Sequence, residues 1–311
     1  MKNKPILIVA GEPYSIFSEI FIKSINYKKY KSPIILIMSL KLLIRQTKFL
    51  NKKYVNIIEL NDLEKTISNQ KINIIDVEFK NIKKSNKYIK KCFDIAFKIL
   101  EKKITNKFIN GPINKKKFLD KKYLGITEYV AKKFNIKKNA MLIYNKNLSV
   151  SPITTHLPLK SVVKQISKKI IFEKILLIHN FYKEKLKRSP KIAITGLNPH
   201  CESVDRFNED EKIIKPSIKK LKNRNINIKG PFSADTIFLK KNRKKFDVIV
   251  GMYHDQVLTP LKTLYEYDAI NITLGLPFIR ISPDHGPNEN MVGKNLSNPT
   301  SLIRALQFLD Y

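Results

Sequence analysis

Lys191-Ile192-Ala193-Ile194-Thr195-Gly196-Leu197-Asn198-Pro199-His200 decides the fold: an apolar, β-branched run of strand length passes directly into a polar loop that ends on histidine. Such continuous apolar runs mark strands covered on both faces, the situation in a parallel sheet sandwiched by helices. Two more stretches follow the same pattern. Leu148 to Ile153 leads into Thr154-Thr155-His156-Leu157-Pro158, and Val248 to Met252 leads into Tyr253-His254-Asp255-Gln256. The chain has five histidines in 311 residues, and three of them stand just past a strand. Open α/β sheets place their ligands in the loops after strands, so His156, His200 and His254 are candidate site residues. Taken one at a time, each also reads as an isolated polar residue at a strand end. Three neutral imidazoles converging from three strand ends would suit a borderline divalent metal, with positions left over for substrate oxygens.

Outward from these loops, strand-length apolar runs alternate with longer amphipathic stretches, the pattern of βαβ units around a largely parallel sheet. Residues 5–10 and 33–39 read as strands, with helices at 15–26, 40–50 and 88–103. Phe108-Ile109-Asn110-Gly111-Pro112-Ile113-Asn114 is a strand running into a turn, followed by helices around Leu119 and over 127–134. Residues 141–144 and 148–153 form a strand pair, and 160–187 reads as one long helix containing His179, a surface or packing residue. Strand 191–197 precedes a helix over 209–223 that Pro216 kinks or restarts. Strands 248–252 and 269–274 and a helix over 299–309 complete the chain. With no internal repeat, linker or sharp boundary, residues 1–311 read as one continuous catalytic unit of two interleaved lobes.

The formal charge of +34 at first points to nucleic acid. Of the 60 basic residues only seven are Arg, and the 53 Lys are spread through every segment with abundant Ile and Asn, a bias that suits an A/T-rich genome. Base readout favours clustered Arg, so no nucleic-acid partner is expected, although a basic field would speed the arrival of anionic substrates. No apolar run reaches the length of a membrane span, the N-terminus lacks a signal peptide's cleavage site, and Cys92 and Cys201 do not make a disulfide framework. A cytoplasmic protein without a membrane partner is the expectation.

Between residues 108 and 286 polar residues gather in loops that turn chemistry alone does not require. These are Asn110-Gly111-Pro112-Ile113-Asn114-Lys115-Lys116, Gly125-Ile126-Thr127-Glu128, the three histidine loops, Ala234-Asp235-Thr236, residues 271–280 and Asp284-His285-Gly286. In this order they resemble the 4-hydroxythreonine-4-phosphate dehydrogenases of pyridoxal phosphate biosynthesis, relatives of the isocitrate and isopropylmalate dehydrogenases, over nearly the whole chain. The resemblance implies two interleaved α/β/α lobes of that type and a homodimer whose shared active site lies at the subunit interface. It implies metal-dependent oxidation of 4-phosphooxy-L-threonine by NAD or NADP to a β-keto acid, which decarboxylates to 3-amino-2-oxopropyl phosphate. It also implies one divalent ion (Zn, Mg, Co or Mn) on His156, His200 and His254, with one of these donated across the dimer.

Thr127, Lys262, Asn271 and Arg280 match the family's substrate-binding positions, and Asp235 and Asp255 match acidic positions near its site. Arg280 and Lys262 suit the phosphate or carboxylate, and Thr127 opens a helix whose free amides favour an anion. Lys262 and Asp235 are the candidates for proton transfer. Asp255 would assist substrate binding or orient a ligating imidazole. Otherwise Asp235 is a helix N-cap and Asp255 a turn residue. His285, Gly286 and Asn295 resemble the loop that cradles the adenine side of the cofactor in the wider group. No Gly-x-Gly-x-x-Gly is present, so the sequence does not support a classical Rossmann site. Otherwise His285-Gly286 is a turn with φ > 0 at the glycine.

The chain departs from the family at Ile126, which stands where a histidine is usual and cannot donate a hydrogen bond. Cys201-Glu202-Ser203-Val204-Asp205-Arg206 replaces a glycine-rich loop after His200, which implies a different backbone path there, and Cys201 offers a further ligand atom. A dehydrogenase for a related four-carbon phosphorylated acid, such as a threonate or erythronate phosphate, is the main alternative. A non-catalytic paralogue and a basic nucleic-acid-binding protein rank behind it.

Overall fold

The computed structural model describes residues 3–47, 55–59, 63, 67–114, 118, 125–204 and 207–310. The helix expected around Leu119 lies outside them. Among the described residues no helix is long and apolar enough to cross a membrane. The chain divides into two compact units, residues 1–129, 267–270 and 277–311 in one and residues 130–266 and 271–276 in the other.

The first unit is built on β1 (Ile6–Val9), β2 (Ile34–Met38), β3 (Val55–Ile57), β4 (Ile72–Asp76), β5 (Lys107–Asn110) and β12 (Ile279–Pro283), in the order β3-β4-β2-β1-β5-β12. All these pairings are parallel. β1 is wholly buried because helices cover both faces, which is why its four residues are all apolar. Helix α1 (Phe17–Tyr27), α2 (Leu40–Thr47), α3 (Ser85–Glu101) and α11 (Thr300–Leu309) belong to this unit, and α4 (Ile126–Lys133) begins in it. Buried Ile89, Cys92, Phe93, Ala96, Phe97 and Leu100 recur at helical spacing along α3. Phe93 sits in an aromatic cluster with Phe97, Phe108 and Tyr129, at ring separations of 5.6, 6.2 and 5.9 Å.

The second unit carries β6 (Ala140–Tyr144), β7 (Ser149–Pro152), β8 (Ile192–Thr195), β9 (Ile228–Phe232), β10 (Val248–Gly251) and β11 (Ile270–Leu274), in the order β11-β6-β7-β10-β8-β9. β6 and β7 form the antiparallel pair, and β7, β10, β8 and β9 run parallel. Its helices are α5 (Leu159–Gln165), α6 (Lys168–Lys185), α7 (Lys215–Lys222), α8 (Ala234–Ile237), α9 (Lys240–Arg243) and α10 (His254–Tyr265).

The single helix expected over 160–187 is two. Ile166 is extended, and Ser167 caps α6 by accepting from the Ile170 N–H at 3.3 Å. The helix expected over 209–223 opens as a π-turn at Asp210–Ile214 that runs directly into α7, with Pro216 as the second residue of α7.

Candidate active site

Because β7, β10 and β8 are parallel neighbours, the loops after them leave the same edge of the sheet, and these loops bear His156, His254 and His200. Pairing continues past the strand ends. The Ile153 N–H donates to the Gly251 carbonyl at 2.7 Å, and the Thr154 N–H and hydroxyl both donate to the Met252 carbonyl, at 3.1 and 2.8 Å. That extension sets His156 beside His254, with ring centres 5.9 Å apart. Two imidazoles sharing one tetrahedral ion at ~2.1 Å bonds place their ring centres roughly 5 Å apart, so this pair fits a common metal. His254 opens α10, and its Nδ1 lies 2.7 Å from Oδ1 of Asp255. With the proton on Nδ1 donated to the carboxylate, Nε2 keeps its lone pair for a ligand. Asp255 is thus the second residue of a helix rather than a turn residue, and its side chain remains 81% exposed.

His200 stands apart from this pair. It lies exposed in a single 3-10 turn, Pro199–Cys201, and among the described residues no group of three or more His, Cys, Asp or Glu within the chain is arranged to hold a metal. The loop obtains its left-handed backbone without glycine, at His200 (φ 55°) and Cys201 (φ 63°). Each such residue costs on the order of 1–2 kcal/mol. Fully buried Asp210 opposes that cost: its carboxylate accepts from the backbone N–H groups of Leu197 and Asn198, at 2.9 and 3.2 Å, and from Nδ2 of Asn198 at 3.1 Å. Burial, with the Asp210 carboxylate nearby, pushes the Cys201 thiol up and keeps it protonated, which disfavours it as a thiolate ligand.

In the first unit Arg280 is 1% exposed on β12. Its Nε donates to Oδ1 of Asn110 at 2.8 Å and its Nη1 to the Thr127 hydroxyl at 2.9 Å. Asn110 also donates to the Ser282 hydroxyl at 3.4 Å. Burial lowers the guanidinium to about 10 despite support from Glu128, so Arg280 remains a cation at neutral pH. Thr127 is the second residue of α4, and Ile126, the first, contributes no polar atom. In the second unit burial lowers the Lys262 ammonium, and Oδ1 of Asn271 is buried with no hydrogen-bond partner among the described residues. Asp235 is exposed in the first turn of α8; the N-cap position belongs to Ser233, which overturns the N-cap reading.

Of the residues matched to the cofactor loop, Asn295 lines a cavity of about 440 Å³ in the first unit, together with Tyr14, Leu42, Arg45, Gln46 and Gly293. His285 is lowered to about 4 by burial, against a smaller opposing effect of the Gly286 backbone, and lies 6.3 Å from the Phe17 ring. The reading of Gly286 as a turn glycine with φ > 0 does not hold; positive φ falls on Asn288, Gly293 and Asn295. Sequence reading passed over Asp210 and the partnership of Asn110 with Arg280, since a buried Asp or Asn has no periodic signature.

Parallel α/β units with histidines in the loops after the strands define an α/β enzyme of the open-sheet kind, whose ligands bind at the strand ends. The chain belongs to the family of the pyridoxal phosphate biosynthetic protein PdxA, whose model matches residues 29–309. It is 41% identical over 313 residues to the 4-hydroxythreonine-4-phosphate dehydrogenase of Sulfurihydrogenibium sp. (strain YO3AOP1), covering 97% of this chain and 96% of that protein. It is 30% identical over 321 residues to the D-threonate 4-phosphate dehydrogenase of Pectobacterium atrosepticum, covering 98% of each. Among solved structures, the 4-hydroxythreonine-4-phosphate dehydrogenase of Klebsiella pneumoniae superposes with a TM-score of 0.83 at 27% identity, covering 99% of this chain and 98% of that one. The isocitrate dehydrogenase of Methylococcus capsulatus, with a TM-score of 0.52 at 10% identity over 98% of this chain and 84% of that one, shares the fold alone. The expected isocitrate dehydrogenase-like α/β class is thereby borne out.

Proposed function

We propose that this enzyme is a 4-hydroxythreonine-4-phosphate dehydrogenase acting in the cytoplasm on 4-phosphooxy-L-threonine with NAD or NADP. Hydride leaves C3 for the nicotinamide ring while the hydroxyl proton passes to a base, so the alcohol becomes a ketone and the dinucleotide is reduced. The β-keto acid then breaks its bond to the carboxyl carbon and releases carbon dioxide. The electron pair left on the adjacent carbon takes up a proton, giving 3-amino-2-oxopropyl phosphate.

The observation that carries this reading is the His156–His254 pair with Asp255 on Nδ1 of His254. A divalent ion on His156, His254 and the His200 of a second copy would supply Lewis-acid polarisation of the substrate oxygens, and an all-imidazole set favours Zn or Co over Mg. The exposure of His200, away from the pair in its own chain, supports its donation across a homodimer. Arg280 and Thr127 bind the phosphate or carboxylate. Asn271 accepts from a substrate hydroxyl or ammonium through its buried Oδ1. Lys262, whose ammonium burial has made easier to deprotonate, carries the proton, with exposed Asp235 as the second acid–base candidate. The cavity beside Asn295 takes the adenosine end of the dinucleotide.

A second reading, oxidation of D-threonate 4-phosphate, is favoured by the full-length P. atrosepticum relative. The test is formation of reduced nicotinamide with each substrate, by chelator-treated protein with and without added Zn²⁺ or Co²⁺. Metal-dependent turnover of 4-phosphooxy-L-threonine is the expected result. Turnover of threonate phosphate alone would replace the first reading with the second, and silence with both would overturn both.

A further inference from the structure

The side chain of Gln256 joins two of the histidine loops and touches the third through one shared residue. Its Oε1 accepts from the Thr195 hydroxyl at 2.8 Å and from the Met252 N–H at 2.7 Å. Its Nε2 donates to the Gly196 carbonyl at 2.8 Å. Thr195 ends β8 and Gly196 begins the loop to His200, while Met252 directly follows β10, two residues before His254. The Met252 carbonyl in turn holds Thr154, two residues before His156. Primary amides offer two lone pairs on oxygen and two N–H donors, and this one uses both lone pairs and one donor.

Neighbouring residues accommodate the brace. Thr195 is fully buried, so its hydroxyl needs a partner inside the protein. Gly251 leaves room where any Cβ would stand 3.0 Å from Oε1 of Gln256 and 2.5 Å from Cγ1 of Val257. Gln256 is also on the first turn of α10, the turn that His254 opens. A shift of the His200 loop is therefore resisted by a side chain on the same rigid turn as His254.

We infer that Gln256 is the positioning residue that fixes the His200 loop relative to His254 and, through Met252, to His156. The inference rests on the reading of these histidines as metal ligands, and it is the brace rather than ligation itself that Gln256 supplies. Gln256→Met keeps the volume and removes all three hydrogen bonds; Thr195→Val removes one and leaves Gln256 in place.

The test measures two things on the full-length protein and both variants. The first is hydrogen exchange of the amides over residues 196–201 without metal. The second is Co²⁺ affinity, by calorimetry and by the visible spectrum of the bound ion. Gln256→Met is expected to speed exchange in that loop, to weaken Co²⁺ binding by roughly 10- to 100-fold, as loss of outer-shell support does, and to alter the cobalt spectrum. Thr195→Val should move each in the same direction by less, and decides the question if Gln256→Met does not fold. Loop exchange and Co²⁺ affinity both matching the wild type would overturn the brace. Wild-type protein that takes up no Co²⁺ would overturn the metal reading instead, with the exchange data still deciding whether Gln256 holds the loop.

Discussion

Replacing Arg280 with methionine separates substrate recognition from packing. The two side chains are close in length, so the β12 site stays filled, but the cation and its bonds to Asn110 and Thr127 are lost. A hydrogen bond to a charged partner is worth about 1.5–3 kcal/mol. If Arg280 supplies one or two such bonds to the substrate phosphate, the variant loses roughly 2–4 kcal/mol of transition-state binding, or about 30- to 1,000-fold in kcat/KM. Loss of the buried cation also leaves Glu128 without its support, a cost independent of substrate. The assay therefore compares 4-phosphooxy-L-threonine with unphosphorylated 4-hydroxythreonine at several concentrations, for wild type and variant. Phosphate recognition by Arg280 predicts that the phosphorylated substrate loses the full factor and the other little, so their ratio collapses. An equal loss for both, with the ratio intact, would refute the assignment and make Arg280 a structural cation or a ligand for the carboxylate they share.

Three further outcomes are expected. Mixing inactive His254→Ala and His200→Ala chains so that dimers reassort should restore about a quarter of wild-type turnover, because half the dimers are mixed and one of their two sites is intact; no recovery would place all three ligands in one chain. His285, near 4 when folded against 6.5 when free, is raised in proton affinity by unfolding, so stability rises with pH across that window and is lost as pH falls through it. Full protonation across that window costs about 3 kcal/mol, and urea unfolding of His285→Gln from pH 4 to 6.5 should lack that slope. Gly196→Ala would place a Cβ 2.6 Å from Oδ1 of Asp210 and 2.7 Å from Sγ of Cys201, and should cost about 1–3 kcal/mol, read as a lower denaturation midpoint.

What was legible in the sequence is what burial dictates. β8 and β10 stand out because helices on both sides of a parallel sheet favour apolar residues; β7 shows itself less plainly, since buried Ser149 and Ser151 alternate with Val150 and Pro152, and the polar loops after all three mark the site edge. β9 escaped reading because Gly230 and Pro231 lie inside it; as the outermost strand of its unit it can spare the N–H that proline lacks. β12 escaped because Arg280 and Ser282 alternate with apolar residues over five positions, so site residues and strand residues are the same ones. The split at Ser167 was hidden because apolar periodicity runs on through Ile166, and only the cap geometry reveals the break.

The hydrogen-bond network of the site was hidden for a different reason. Histidines are rare enough in this chain to be noticed, whereas Asn110, Asp210 and Gln256 act through side-chain polar atoms whose partners lie elsewhere in the sequence. Asp210 reaches back 12 and 13 residues to Asn198 and Leu197, and Gln256 reaches back 60 and 61 to Gly196 and Thr195. Separations of that kind follow from strand order: β8 and β10 are neighbours in the sheet but are parted in the chain by β9 and its flanking helices. A site assembled at the ends of parallel strands therefore shows its ligands in the sequence and conceals what holds them. In this chain the concealed part includes the Asp210 carboxylate and the Gln256 amide, which hydrogen-bond to the backbone at the start of a His200 loop that adopts left-handed backbone without glycine.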